Sequence, residues 1–275
     1  MKKIIVLVVL IIAVIVLGWY FYVSYQISGP QLLSSTTTST STIDAVGSMA
    51  QVDGVTVKIG QPFSIPATAT GTNALGASGQ WSTYTSATQG FSFDYPQIMA
   101  AYTNRKDIRG LKSYLPLSPD ARAVLALVPS QYPASTTVHE AFVVVAATTT
   151  PDFATCMSAA QEAGAGGAGA ATTTPVQVAI IPPGSNVTSP SASVDFYQLP
   201  SDLGGCWAGG CAFGTLFATY RSGTCYQFSL QAAVTDPGVY ASSQAEFQQM
   251  NHNNQNFESQ LTTLFYQILS TVTFR

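Results

Sequence analysis

Trp81-Ser-Thr-Tyr84, followed by Gly90-Phe91-Ser92-Phe93-Asp94-Tyr95-Pro96, is the stretch from which the fold is read. Phe91, Phe93 and Tyr95 alternate with Ser92 and Asp94. That period of two predicts a strand with one aromatic and one polar face, ended by Pro96. Downstream, the apolar runs at 123–128, 138–147, 176–181, 193–199 and 214–221 predict further strands. Ser222-Gly223 is a tight-turn pair, so 214–221 and Cys225–Val234 read as a hairpin. Asp152 can cap a short helix over 153–163. From Ser242 to Leu269 a helical period sets Phe257, Leu261, Leu264, Phe265, Ile268 and Leu269 on one face. The polar run Asn251–Asn256 is weakly helical and is a place where this helix could break, and Ser270–Phe274 predicts a closing strand. Strands and helices do not alternate as regular βαβ units. The fold class is therefore α+β with a largely antiparallel central sheet.

Upstream of Trp81 the pattern fades. Ser34–Thr42 reads SSTTTSTST, a solvated linker composition, and 67–80 is again rich in Thr, Gly and Ala. Residues 26–80 read as a stalk, with partial alternation at Val55, Val57, Ile59, Phe63 and Ile65 that allows a small hairpin within 52–65. Residues 81–275 then form the domain. Residues 1–25 carry Lys2 and Lys3 and an apolar run from Ile4 to Val23. At ~1.5 Å per residue this run spans roughly 30 Å of hydrocarbon. Trp19, Tyr20, Tyr22 and Tyr25 would form an interfacial belt, and the two lysines would hold the N-terminus in the cytoplasm. Bulky aromatics, rather than a small-residue cleavage site, follow the apolar core. This predicts an uncleaved single-pass signal anchor with the bulk of the chain extracytoplasmic.

Only 8% of the 275 residues are charged, against about 25% in an ordinary soluble domain, so amides and hydroxyls must cover much of the surface. A net charge of −3 argues against nucleic acid as a partner. Four cysteines on the exported side of a membrane favour disulfides. Three pairings are open to them. Cys206 and Cys211 flank Trp-Ala-Gly-Gly, whose glycines let a short loop fold back to bring that pair together.

Catalytic signatures are sparse. Gly164–Gly169 spells G-x-G-x-x-G, but a helix precedes it and Thr172-Thr-Thr-Pro175 follows, the wrong setting for a dinucleotide. The spacing Cys206-x4-Cys211 is not a redox C-x-x-C, and the two histidines, His139 and His252, are far apart in sequence. No G-x-S-x-G elbow is present. No cofactor and no metal are expected. Arg105, Lys106, Arg109 and Lys112 cluster, with Arg122 further on. They read as a solvated loop or, more sharply, as a patch for an anionic envelope polymer or lipid headgroups.

Taken together, Trp81-x-x-Tyr84, Gly90-Phe-Ser-Phe-x-Tyr-Pro96, Gly110-Leu-Lys-Ser-Tyr-Leu-Pro116, Cys225-Tyr-Gln-Phe228 and Gln267-Ile-Leu-Ser-Thr-Val-Thr-Phe274 resemble PsbP-like domains and their bacterial, often membrane-anchored relatives. The resemblance covers 81–275 and implies an α/β/α sandwich, a central antiparallel sheet with helices on both faces. It also implies that Cys156 pairs with Cys225, tying a helix to the sheet, which leaves Cys206 for Cys211. The chain departs from that pattern in its Ala/Gly insert and its Cys206–Cys211 loop. Such folds serve mostly as binding or assembly modules. The expected function is a non-catalytic, membrane-tethered module. Its partners would be the bilayer, through residues 4–23, and an envelope protein or anionic polymer. An envelope hydrolase or transferase with a non-local site is the alternative.

Overall fold

The computed structural model describes residues 47–61, 63–64, 80–103, 122–164, 174–178, 180–181, 194–199, 205–207 and 209–275. Its centre is a long hairpin, β13 (Gly210–Arg221) and β14 (Thr224–Thr235), twelve residues to each arm. Ser222 and Gly223 turn it with φ of 48° and 78°, the paired positive φ of a type I′ turn, as that dipeptide predicts. β8 (Val138–Thr149) and then β7 (Arg122–Pro129) and β6 (Met99–Tyr102) extend the sheet beyond β14. On the β13 side follow β11 (Phe196–Leu199), β9 (Val176–Val178), β2 (Val55–Ile59) and β1 (Met49–Val52). β12 (Gly205–Trp207) pairs with the start of β13. Every pairing in this sheet is antiparallel except β2 with β9.

Side chains alternate across β13, and each face carries its own core. Phe217, Phe228, Leu230, Val143, Val145, Leu125 and Leu127 lie on one face, under helix α2 (Gln244–Ser270). Leu216, Ala218 and Cys225 lie on the other, under helix α1 (Phe153–Gly164), which contributes Phe153, Cys156, Met157 and Ala160. The two helices therefore cover opposite faces. Asp152 caps α1 as its position predicts, accepting a 2.7 Å bond from the Thr155 N–H.

The aromatic strand β5 (Phe91–Pro96) is not part of the central sheet. It pairs with β4 (Trp81–Ser86) and β15 (Thr273–Phe274) in a small sheet of its own. Phe91 and Phe93 are buried, and both meet Phe228 edge-on at 6.4 Å, so this sheet shares the α2 face of the core.

One expectation is corrected: the polar run Asn251–Asn256 does not interrupt α2. Poor helix formers there cost at most roughly 4 kcal/mol over six residues. The six apolar side chains of the buried stripe return at ~1.5–3 kcal/mol apiece. Asn254 also finds partners across the fold: it accepts from Thr137 N–H at 2.9 Å and donates to Thr137 Oγ1 at 2.8 Å. Within 26–80, read as a stalk that allows a small hairpin, the structure describes ordered strands. The hairpin is β1–β2, turned at Asp53-Gly54 with φ of 45° and 81°, rather than a hairpin over 52–65. Val57 is fully buried against the α1 core. Gly60 is needed where β2 passes β9, since a Cβ there would lie 2.6 Å from Val176 Cγ1. β3 (Phe63–Ser64) pairs in parallel with β10 (Ile180–Ile181), and Phe63 stacks on Tyr266 at 3.6 Å. All these elements belong to the unit Ser41–Arg275.

The apolar run 4–23 lies outside the described residues. Among the described residues no helix is long and apolar enough to cross a membrane.

Candidate functional site

α2 has two stripes. One is the buried apolar stripe already named. Beside it, Phe247, Asn251, Gln255, Glu258, Thr262 and Tyr266 recur three or four residues apart, which places them along one side of the helix. They face β13 across an open groove. Its larger hollow, about 500 Å³, lies between Phe247, Asn251, Asn254, Gln255 and Glu258 on one side and Gly210–Phe213 with Val234 on the other. A smaller hollow of about 140 Å³ continues past Glu258 to Thr262 and Tyr266, opposite Phe213–Thr215 and Gln198. Phe213 and Glu258 line both hollows.

Among the described residues, the groove lining holds two carboxylates and no lysine, arginine or histidine. Asp236 is engaged within the fold: its Oδ1 accepts from the Gly238 N–H at 2.8 Å and caps the 3-10 turn Pro237–Val239. Glu258 differs. It is exposed on its solvent side, yet desolvation by the groove pushes its carboxyl above the ordinary glutamate range, and burial is the sole cause. Gln198, in the lining of the smaller hollow, donates its Nε2 to Thr215 Oγ1 at 3.3 Å.

The residues singled out from sequence fall elsewhere. Cys156 and Cys225 are disulfide-bonded, with Cα atoms 5.3 Å apart, and pin α1 to the first residues of β14. β12 sets Cys206 directly across from Cys211 in register, and Cys211 is disulfide-bonded. His139 is the extra residue of a bulge in β8, because Val234 pairs with Val138 and Ala233 with Glu140; it is exposed, with Nδ1 3.4 Å from Thr235 Oγ1. His252 is also exposed, 3.0 Å from Asn256 Nδ2. Neither lines the groove. Arg105, Lys106, Arg109 and Lys112 lie outside the described residues, as do 165–169 of the glycine-rich motif. No group of His, Cys, Asp and Glu able to hold a metal occurs among the described residues. The groove itself was not anticipated. Its one sequence signal is a helix whose second stripe is amide, hydroxyl and carboxylate where a surface helix usually carries lysine and glutamate.

No family model matches the chain. No curated protein matches it either. Solved structures similar to it include the solution structure of cyanobacterial PsbP (CyanoP) from Synechocystis sp. PCC 6803, with a TM-score of 0.31 and 7% identity over 71% of this chain and 92% of that one. They also include the Ran-binding protein Mog1p of Saccharomyces cerevisiae, with a TM-score of 0.33 and 8% identity over 71% of this chain and 95% of that one. Likeness at this level bears on neither ligand nor partner.

Proposed function

We propose that the chain is a membrane-tethered, extracytoplasmic module of PsbP-like architecture that binds a partner in the groove between α2 and β13 and performs no catalysis there. The tether rests on the apolar run 4–23 with its flanking lysines and aromatics. The compartment rests on the disulfide-bonded cysteines. The PsbP-like reading rests on the Trp81–Pro96 motif and on a sheet whose two faces carry different helices.

The observation that carries the binding role is Glu258. It stands at the junction of the two hollows, where the described lining offers it no counter-charge, and a concave site with a few convergent polar groups is the usual form of a recognition site.

The test is site-specific photo-crosslinking in cells with the full chain. A photoreactive residue at Gln255 or Thr262, in the groove, should trap a discrete adduct. The same residue at Ser259, on the exposed side of α2, should not. Equal labelling from both positions would remove the groove from the proposal. A fluorescent reporter fused at residue 275 that matures in the cytoplasm would remove the topology.

A further inference from the structure

The groove has a length, a lining and a charge, and together they select an occupant. From Asn251 to Tyr266 the α2 wall runs ~22 Å at 1.5 Å per residue. An extended chain of about seven residues has that length at ~3.3 Å each. Asn251 and Gln255 present amides that donate and accept, as a peptide backbone requires. Phe213, Phe247 and Tyr266 offer apolar surface between them. Glu258 stands where the two hollows meet, near the middle of the trough, with no basic residue among the described lining residues. A partly desolvated carboxylate without a partner is unfavourable in the empty groove, and a cation brought by a ligand converts it into a charge-assisted hydrogen bond.

Resting on the reading of this groove as a binding site, we infer that it takes an extended peptide segment bearing a lysine or arginine, whose cationic side chain pairs with Glu258. A neutral chain would leave the carboxylate unpaired, and an acidic one would meet both Glu258 and Asp236. A free polyamine would satisfy the charge but neither fill the trough nor use the amides.

The experiment is fluorescence anisotropy on the full chain in nanodiscs of zwitterionic lipid. The probes are heptapeptide libraries, randomised except for a central Arg, Lys, Gln or Glu. The Arg and Lys libraries should bind at least roughly tenfold more tightly than the Gln library, the size of one charge-assisted hydrogen bond, and the Glu library most weakly. Glu258→Gln should erase the preference for Arg over Gln. Thr262→Arg, which offers Glu258 a cation one turn away, should do the same by another route. Thermal melts establish that both variants fold.

If the Arg and Gln libraries bind the wild type equally, the cation proposal is overturned and the groove reading stands. Spermine competing as well as the whole Arg peptide would overturn the peptide. If no library binds and no groove crosslink forms, both readings fall.

Discussion

Two buried amides show how far a single side chain's contribution depends on its partners. Asn254 is 6% exposed, and both ends of its amide are bonded to Thr137. Asn254→Leu strands the Thr137 N–H inside the fold, so unfolding in urea should show a loss of roughly 2–3 kcal/mol. Gln227 is fully buried on β14, and neither its Oε1 nor its Nε2 has a hydrogen-bond partner; Ser229 Oγ, two residues along the same face, is likewise unpartnered. Gln227→Met keeps the shape and removes the unpaired amide, so the same measurement should show no loss or a gain of about 1 kcal/mol. A large loss would mean that the amide has a bonded guest. The carboxylates divide in the same way. Thr155 N–H holds Asp152 below its ordinary range, and the Ser242 N–H and hydroxyl hold Glu246 below its own. Their contributions are present at neutral pH and are lost as the pH falls through their lowered values. Glu258 has the opposite sign. Its raised value favours the protonated fold, and stability is lost as the pH rises through it. Urea unfolding of Glu258→Gln across pH should therefore match the wild type in acid and exceed it at neutral pH.

At the scale of elements, what could be read from the chain was what neighbours in sequence decide. Ser222-Gly223 specifies its turn and Asp152 its cap within a few residues, and both strands of the β13–β14 hairpin follow from local alternation. The course of α2 through Asn251–Asn256 could not be read in this way, because Asn253 bonds to the Ser135 carbonyl and Asn254 to Thr137, 118 and 117 residues away. Glu258 was passed over for the same reason: an isolated acid on a helix shows its meaning only once β13 is opposite it. The disulfide is the strongest tie between elements, joining α1 to β14 across 69 residues. In the chain-entropy model a loop of that size contributes roughly 4 kcal/mol, whereas the short Cys206–Cys211 loop would contribute roughly 2. Cys225→Ser also leaves a polar hydroxyl where the sulfur is wholly buried in the core under α1. It should therefore lower the urea midpoint well below that of Cys211→Ser. Equal midpoints would mean that the α1 tie does not limit unfolding.

At the scale of the molecule, the question is where the folding unit starts. Composition puts the boundary at 81, because 67–80 resembles linker and the pairing of β2 with β9 lies more than a hundred residues away in sequence. The contacts put it earlier. A chain cut at 81 loses Val57 from the α1 core, worth ~1.5–3 kcal/mol by burial alone. It loses the backbone bonds of Lys58 to Pro175 and of Gly60 to Gln177. It loses Phe63 from the face of Tyr266 and leaves β9 as an uncovered edge. Against a total stability of about 5–15 kcal/mol, the sum is a large fraction. Two fragments decide the matter. The 41–275 fragment should unfold in one cooperative transition. The 81–275 fragment should unfold at a markedly lower urea concentration or aggregate through the exposed β9 edge. Adding 41–66 as a separate peptide should restore part of the difference, because β2 can still seat beside β9 from solution. If the two fragments share one midpoint, the β1–β2 hairpin is an attachment to the sheet and not part of its core, and the boundary belongs at 81 after all.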